Sequence, residues 1–155
     1  MARLTLSHAI QDYLREISKL EVGKDKVSTT ALAKAMGVSP ASASSMVKKL
    51  AALGLVEHKP YHGVSLTPSG ERVALEVTRH HRLLELYLAQ TLGIHIDEVH
   101  DEADRLEHVL SEELEARIDE SLGFPTHDPH GDPIPDANLE WPRAPAASPG
   151  AQASA

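Results

Sequence analysis

The strongest constraint on what this chain folds into is the punctuation between Ser28 and Gly54. The run Ser28-Thr29-Thr30-Ala31-Leu32-Ala33-Lys34-Ala35-Met36 ends at Gly37, the residue type that most readily closes a helix in the left-handed conformation. After Val38, Ser39-Pro40 supplies a capping hydroxyl and then a proline in the first helical turn, where its missing N–H does no harm. A second helix is therefore expected over about 40–53, stopped by Gly54. Two short helices across so tight a turn read as a helix-turn-helix. The β-prone runs 55–58 and 64–66 flank Lys59-Pro60-Tyr61-His62-Gly63, which predicts a hairpin standing as the wing of a winged helix.

Around this motif the pattern is helical. Leu6, Ile10, Tyr13, Leu14, Ile17 and Leu20 share one face of a first helix. A long helix is predicted over about 69–93, another from about 96 to 107 or beyond, and a third over 111–122 capped by Ser111. The fold class that follows is mainly α: an N-terminal winged helix-turn-helix with a small β-hairpin wing over 1–70, then an all-α domain over 71–122. Seven of the ten prolines lie beyond Gly123, so 123–155 is expected to be an irregular, Pro-rich tail with at least its final dozen residues disordered.

Composition narrows the chemistry. With one Phe, one Trp and three Tyr, the core has to be aliphatic. The absence of cysteine removes disulfides and thiolate zinc sites. Residues 1–10 hold no sustained apolar run, and no stretch approaches the roughly 20 residues that span a bilayer, so no membrane association and a cytoplasmic location are expected. Residues 1–80 carry 11 Lys and Arg against 7 Asp and Glu, whereas 81–155 carry 4 against 16. The first part suits a phosphate backbone and the second suits cations.

In the second helix of the motif, Ser39, Pro40, Ala41, Ser42 and Ser45 are small enough for close approach to DNA, with Ser42 and Ser45 as candidates for base contact. Lys48, Lys49 and, on the wing, Lys59 are candidates for phosphates, with Tyr61 and His62 secondary to them. Downstream, His100, Asp104, Glu107 and His108 fall within an arc of about 100° on one helical face. His81 and Glu85, one turn apart, form a second pair with metal-ligand chemistry. His8, His80, His95, His127 and His130 have no partner at ligand spacing and are expected to be solvent-exposed.

Five segments together resemble the diphtheria toxin repressor family of iron- and manganese-dependent regulators. They are Asp12-Tyr13-Leu14-Arg15-Glu16-Ile17, the winged-helix segment, His80-His81-Arg82-Leu83-Leu84-Glu85, the run from Val99 to Ser111, and Gly131-Asp132-Pro133-Ile134-Pro135. The resemblance implies one metal site made by Asp12 with Asp104, Glu107 and His108, and an ancillary site made by His81, Glu85 and His100. Asp12 enters by resemblance alone. Iron-responsive members usually carry Met and Cys where this chain has Asp12 and Asp104, and manganese-responsive members carry carboxylates. Mn²⁺ is therefore favoured over Fe²⁺, with Zn²⁺ or Co²⁺ able to compete in vitro. Arg15 stands where the manganese branch often has another carboxylate, and Glu16, one turn from Asp12, is the candidate to substitute for it. The Asp-Pro-Ile-Pro stretch resembles the linker that leads, in iron-type members, to an SH3-like domain.

The implied function is a homodimeric, metal-dependent repressor of metal-uptake genes. Metal bridging the two domains would set the spacing of two recognition helices on a double-stranded operator. The alternative is a winged-helix regulator that responds to a small molecule and holds no metal. A metal-dependent hydrolase fits poorly, because the chain has no His-Glu-x-x-His run.

Overall fold

The structure is a computed structural model and describes residues 6–143. Helix α1 (His8–Leu20) starts where the Ser7 hydroxyl accepts the Ile10 N–H, and it buries Ile10, Tyr13, Leu14 and Ile17. Helix α2 (Thr29–Met36) is capped by Ser28 and closed by Gly37 at φ 67°. Helix α3 (Pro40–Ala52) is capped by Ser39 and buries Ala43, Val47 and Leu50. Strands β1 (Val56–Lys59) and β2 (Gly63–Leu66) pair antiparallel with Val56 opposite Leu66, forming the wing with Tyr61 at its tip in the left-handed region.

Backbone bonds between Val27 and Val64, 2.8 Å in each direction, tie the segment before α2 to the wing. Gly63 is required at that tie. Its φ is +85° and a Cβ there would lie 2.8 Å from the Val27 carbonyl oxygen. The Leu66 N–H donates to Oε1 of Glu21, fixing the end of α1 to β2. Beneath these elements Leu14, Ile17, Leu32, Val47, Leu50 and Val64 are fully buried in an aliphatic core.

Helix α4 (Pro68–Gln90) connects the two halves of the molecule. Thr67 caps it, and at Gly70 it comes so close to the preceding chain that a Cβ would stand 2.0 Å from the Leu55 carbonyl oxygen. Its first turns place Ala74 in the N-terminal core, and its later turns bury Leu83, Leu84 and Leu86 in a second core with Ala103, Ile118 and Ile134. Helix α5 (Val99–Leu106) and helix α6 (Glu112–Ser121) complete that half, both packed on α4.

Residues 123–143 contain no helix or strand of two or more paired residues, yet they are packed. Ile134 is 1% exposed, a bridge joins His127 to Pro133, and Oδ1 of Asp128 accepts the N–H groups of His130 and Asp132. The anchor is Arg79, itself 3% exposed, which donates to Glu115 at 2.6 Å, Asp119 at 3.0 Å and the Pro135 carbonyl at 2.9 Å. Burial alone would raise the pKa of Glu115, but His80 and Arg79 beside it hold it below the ordinary carboxylate range. The disorder expected for the final dozen residues falls on 144–155, outside the described residues. Among the described residues no helix is long and apolar enough to cross a membrane.

Candidate metal centre

Three elements converge where α1 meets the second half of the molecule. The 3.6-residue period puts His81 and Glu85 on one face of α4, with Glu85 Oε1 2.6 Å from His81 Nε2. Helix α5 contributes His100 and Asp104, and the chain turning out of it contributes Glu107 and His108. From α1 comes Asp12, whose Oδ1 lies 2.9 Å from His108 Nε2. Glu107 is the centre of the arrangement. It is 1% exposed, and its oxygens stand 2.5 Å from His81 Nδ1 and 3.4 Å from His108 Nε2.

The donors fall into three groups: Asp12 with Glu107 and His108; His81 with His100 and Asp104; and Glu85 with Asp128 and His130. All seven residues singled out from the sequence therefore lie in these groups, but the partition differs from the one the resemblance implies. Asp104 sits with the two α4- and α5-borne histidines, its oxygens 3.2 Å from His81 Nδ1 and 3.3 Å from His100 Nε2. Glu85 faces both ways, with Oε2 3.2 Å from His130 Nδ1. Glu16 belongs to none of the three groups and lies 3.9 Å from Lys19 on its own helix.

Asp128 and His130 are donors that sequence reasoning does not bring out. The one available signal is their closeness in sequence, two residues apart in the turn Asp128-Pro129-His130-Gly131. The expectation that the five remaining histidines are solvent-exposed fails for His80. It is 8% exposed, with Nε2 2.8 Å from Glu115 and Nδ1 3.1 Å from the Glu107 carbonyl, so it braces the turn that carries the donors. His8 is exposed but stacks on His108 with ring centroids 4.5 Å apart.

The donor chemistry fits a divalent cation. Nδ1 of His108 donates to Oε1 of Gln11 at 2.8 Å, which leaves Nε2 facing Oδ1 of Asp12. That Oδ1 is buried and accepts no hydrogen bond, and Glu85 Oε2 is in the same condition. Nε2 and Oδ1 at 2.9 Å can share a proton or a metal cation, and this spacing is close to the edge of an octahedral ligand shell, roughly 3 Å. Burial raises the pKa of Asp12, an effect that His108 and Arg15 oppose. Burial also disfavours protonation of His81, but the hydrogen bonds it donates to Glu107 and Glu85 outweigh it and push its pKa up to about 9. Burial would raise the pKa of Glu85, and the same pairing with His81 outweighs it and lowers that pKa.

In the N-terminal half, Ser39, Pro40, Ala41, Ser42, Ser45, Lys48 and Lys49 are all exposed along α3, and Lys59 is exposed on the wing. The Ser39 hydroxyl is partly committed: it caps α3 at the Ser42 N–H and lies 3.0 Å from the Ser42 hydroxyl.

Residues 5–64 match the family model for the iron dependent repressor N-terminal DNA binding domain, and 67–136 match that for the iron dependent repressor metal binding and dimerisation domain. A diphtheria toxin repressor from Corynebacterium efficiens is 38% identical over 136 residues, which are 86% of this chain and 59% of that protein. An HTH-type transcriptional regulator from Methanocaldococcus jannaschii is 34% identical over 114 residues, 73% of this chain and 91% of that one. Among solved structures, a manganese-dependent transcriptional repressor in complex with manganese superimposes with a TM-score of 0.80 at 52% identity, covering 88% of this chain and 63% of the other. The chain thus spans about three fifths of the length of the corynebacterial repressor and of that structure.

Proposed function

Because the chain belongs to the iron-dependent repressor family, we propose that it is a DNA-binding transcriptional repressor whose hold on its operator depends on a divalent metal. The observation that carries this reading is the buried Asp12 Oδ1 facing His108 Nε2 across the junction of α1 and α5, with Glu107 beside them. Asp12 belongs to the half that carries the helix-turn-helix, and Glu107 and His108 belong to the other half. A divalent cation bound there would add two positive charges among the carboxylates of Asp12, Asp104 and Glu107.

The chain's own residues do the rest. Gln11 and His80 orient the donors, the first by holding the tautomer of His108 and the second by bracing the Glu107 carbonyl. His81, His100 and Asp104 form a second seat, and Glu85, Asp128 and His130 a third that depends on the packed tail. Carboxylates and imidazoles without thiolate favour Mn²⁺, with Fe²⁺ the alternative and Zn²⁺ or Co²⁺ competing in vitro. A homodimer formed through the second half would present two copies of α3 to successive major grooves, with Ser42 and Ser45 toward base edges and Lys48, Lys49 and Lys59 toward phosphates.

The test is capture of fragmented genomic DNA by the purified protein in chelator, and then with Mn²⁺ or anaerobic Fe²⁺. A discrete set of fragments retained only with metal, and lost in Asp12→Asn, is the expected result. Capture that ignores the metal would transfer the function to a winged-helix regulator governed by another small molecule.

A further inference from the structure

The guanidinium of Arg15 already occupies the carboxylates of the centre. Its NH1 nitrogen donates to both oxygens of Glu107, at 2.8 and 2.9 Å, and NH2 reaches Asp104 Oδ1 at 3.4 Å. Arg15 lies on α1 and its two acceptors lie at α5, so the pair crosses the same junction as Asp12 and His108. Glu107 thereby has both oxygens engaged on one side by Arg15, while Oε2 also meets His81 and Oε1 meets His108. A fully buried carboxylate needs a counter-cation, and here the chain supplies one.

Two features mark this cation as exchangeable. The Nε of Arg15 is buried without a hydrogen-bond partner, so the guanidinium is incompletely satisfied where it stands. The side chain also borders a cavity of about 310 Å³ whose wall includes Asp128 and Asp132, so a guanidinium leaving Glu107 has an open space lined by other carboxylates to enter. A divalent ion sharing Glu107 with Arg15 would place two positive centres on one carboxylate, where they repel.

Resting on the metal-site reading above, we propose that Arg15 is an internal stand-in for the metal: it ties α1 to α5 in the metal-free protein, and metal must displace it from Glu107 to bind. The threshold for metal is then set by exchange between two cations. Because a guanidinium does not lose its proton in the physiological range, this latch opens by displacement of Arg15 and not by its deprotonation.

The experiment compares Mn²⁺ affinity, by calorimetry, and the melting temperature of the metal-free protein for wild type, Arg15→Gln, Arg15→Lys and Asp12→Asn. Exchange predicts that Arg15→Gln binds Mn²⁺ more tightly, on the order of tenfold, while its metal-free form melts lower. Arg15→Lys, a point charge without the fork, should fall between it and wild type, and it carries the test should Arg15→Gln fail to fold. Unchanged or weaker Mn²⁺ binding in the Arg15 variants, with binding lost in Asp12→Asn, overturns the exchange and leaves the metal seat standing. Wild-type affinity in Asp12→Asn overturns the seat and the exchange together.

Discussion

The side-chain oxygen of Gln11 accepts the Nδ1 proton of His108 at 2.8 Å across the junction of α1 and α5. The ring is thereby held with its Nε2 turned toward Asp12. Gln11→Leu keeps the bulk and removes the acceptor. Mn²⁺ affinity measured by calorimetry should fall by about 10–100-fold with the melting temperature of the metal-free protein little changed. Wild-type affinity in this variant would mean that stacking on His8 alone orients the ring.

Arg79 holds the tail to the helices. Its replacement by Met leaves the carboxylates of Glu115 and Asp119 and the carbonyl of Pro135 without their buried partner. Urea unfolding should show a loss of about 3–5 kcal/mol, the range for breaking a buried pair from one side. A loss under about 1 kcal/mol, the scale of an exposed pair, would mean that the two carboxylates find water when the arginine is gone.

The local elements are legible in the sequence because their signals are local. Ser28, Gly37, Ser39 and Pro40 each act within one turn of where they stand, and α2 and α3 begin and end at them. The wing follows from the turn residues between two β-prone runs. The candidate site is another matter. Helical spacing brings out His81 with Glu85, and His100 with Asp104, Glu107 and His108, since each set lies within one stretch of chain. Asp12 is brought to them by the packing of α1 on α4, and Asp128 with His130 by the folding back of the tail onto Ile134. No periodicity reports a meeting of residues so far apart, and for Asp12 only a likeness to known proteins does so. His80 defeats the expectation of exposure for a related reason. Its partner Glu115 lies 35 residues away, and a histidine with no near neighbour looks exposed.

Glu21 provides a pH test remote from the metal centre. Burial raises its pKa, an effect that the hydrogen bond from Leu66 opposes and the nearby charge of Glu71 reinforces. A carboxyl whose folded pKa lies above its unfolded value stabilises the fold fully below the unfolded value, and that contribution is lost as pH rises through the folded one. Glu21→Gln retains an oxygen for the Leu66 N–H and has no charge to acquire. Melting curves from about pH 4 to 8, which bracket the ordinary carboxylate range, should show the variant gaining on wild type as pH rises, with a higher melting temperature at neutral pH. A gap that stays constant across the range would remove Glu21 as the source of the slope.

Lys48 and Lys49 are exposed at the end of α3 and touch none of the donor groups. Changing both to Ala should weaken binding to operator and unrelated DNA alike. The slope of log affinity against log salt should become shallower by roughly 1 for each phosphate that the variant no longer neutralises. Fluorescence anisotropy over a salt series reads this directly. Weakening confined to operator DNA would place the lysines at base edges instead.

Helix α4 runs unbroken from Pro68 to Gln90, wedged against Leu55 at Gly70 and carrying His81 and Glu85 three and four turns later. Beyond its first turn it has no proline or break that would make a joint. A tilt at the histidines would therefore reach the carbonyl of Leu55, the residue before the wing, where Gly70 packs. Helix α4 is in this sense a shaft between the candidate metal donors and the helix-turn-helix half, with α1 meeting α5 beside it.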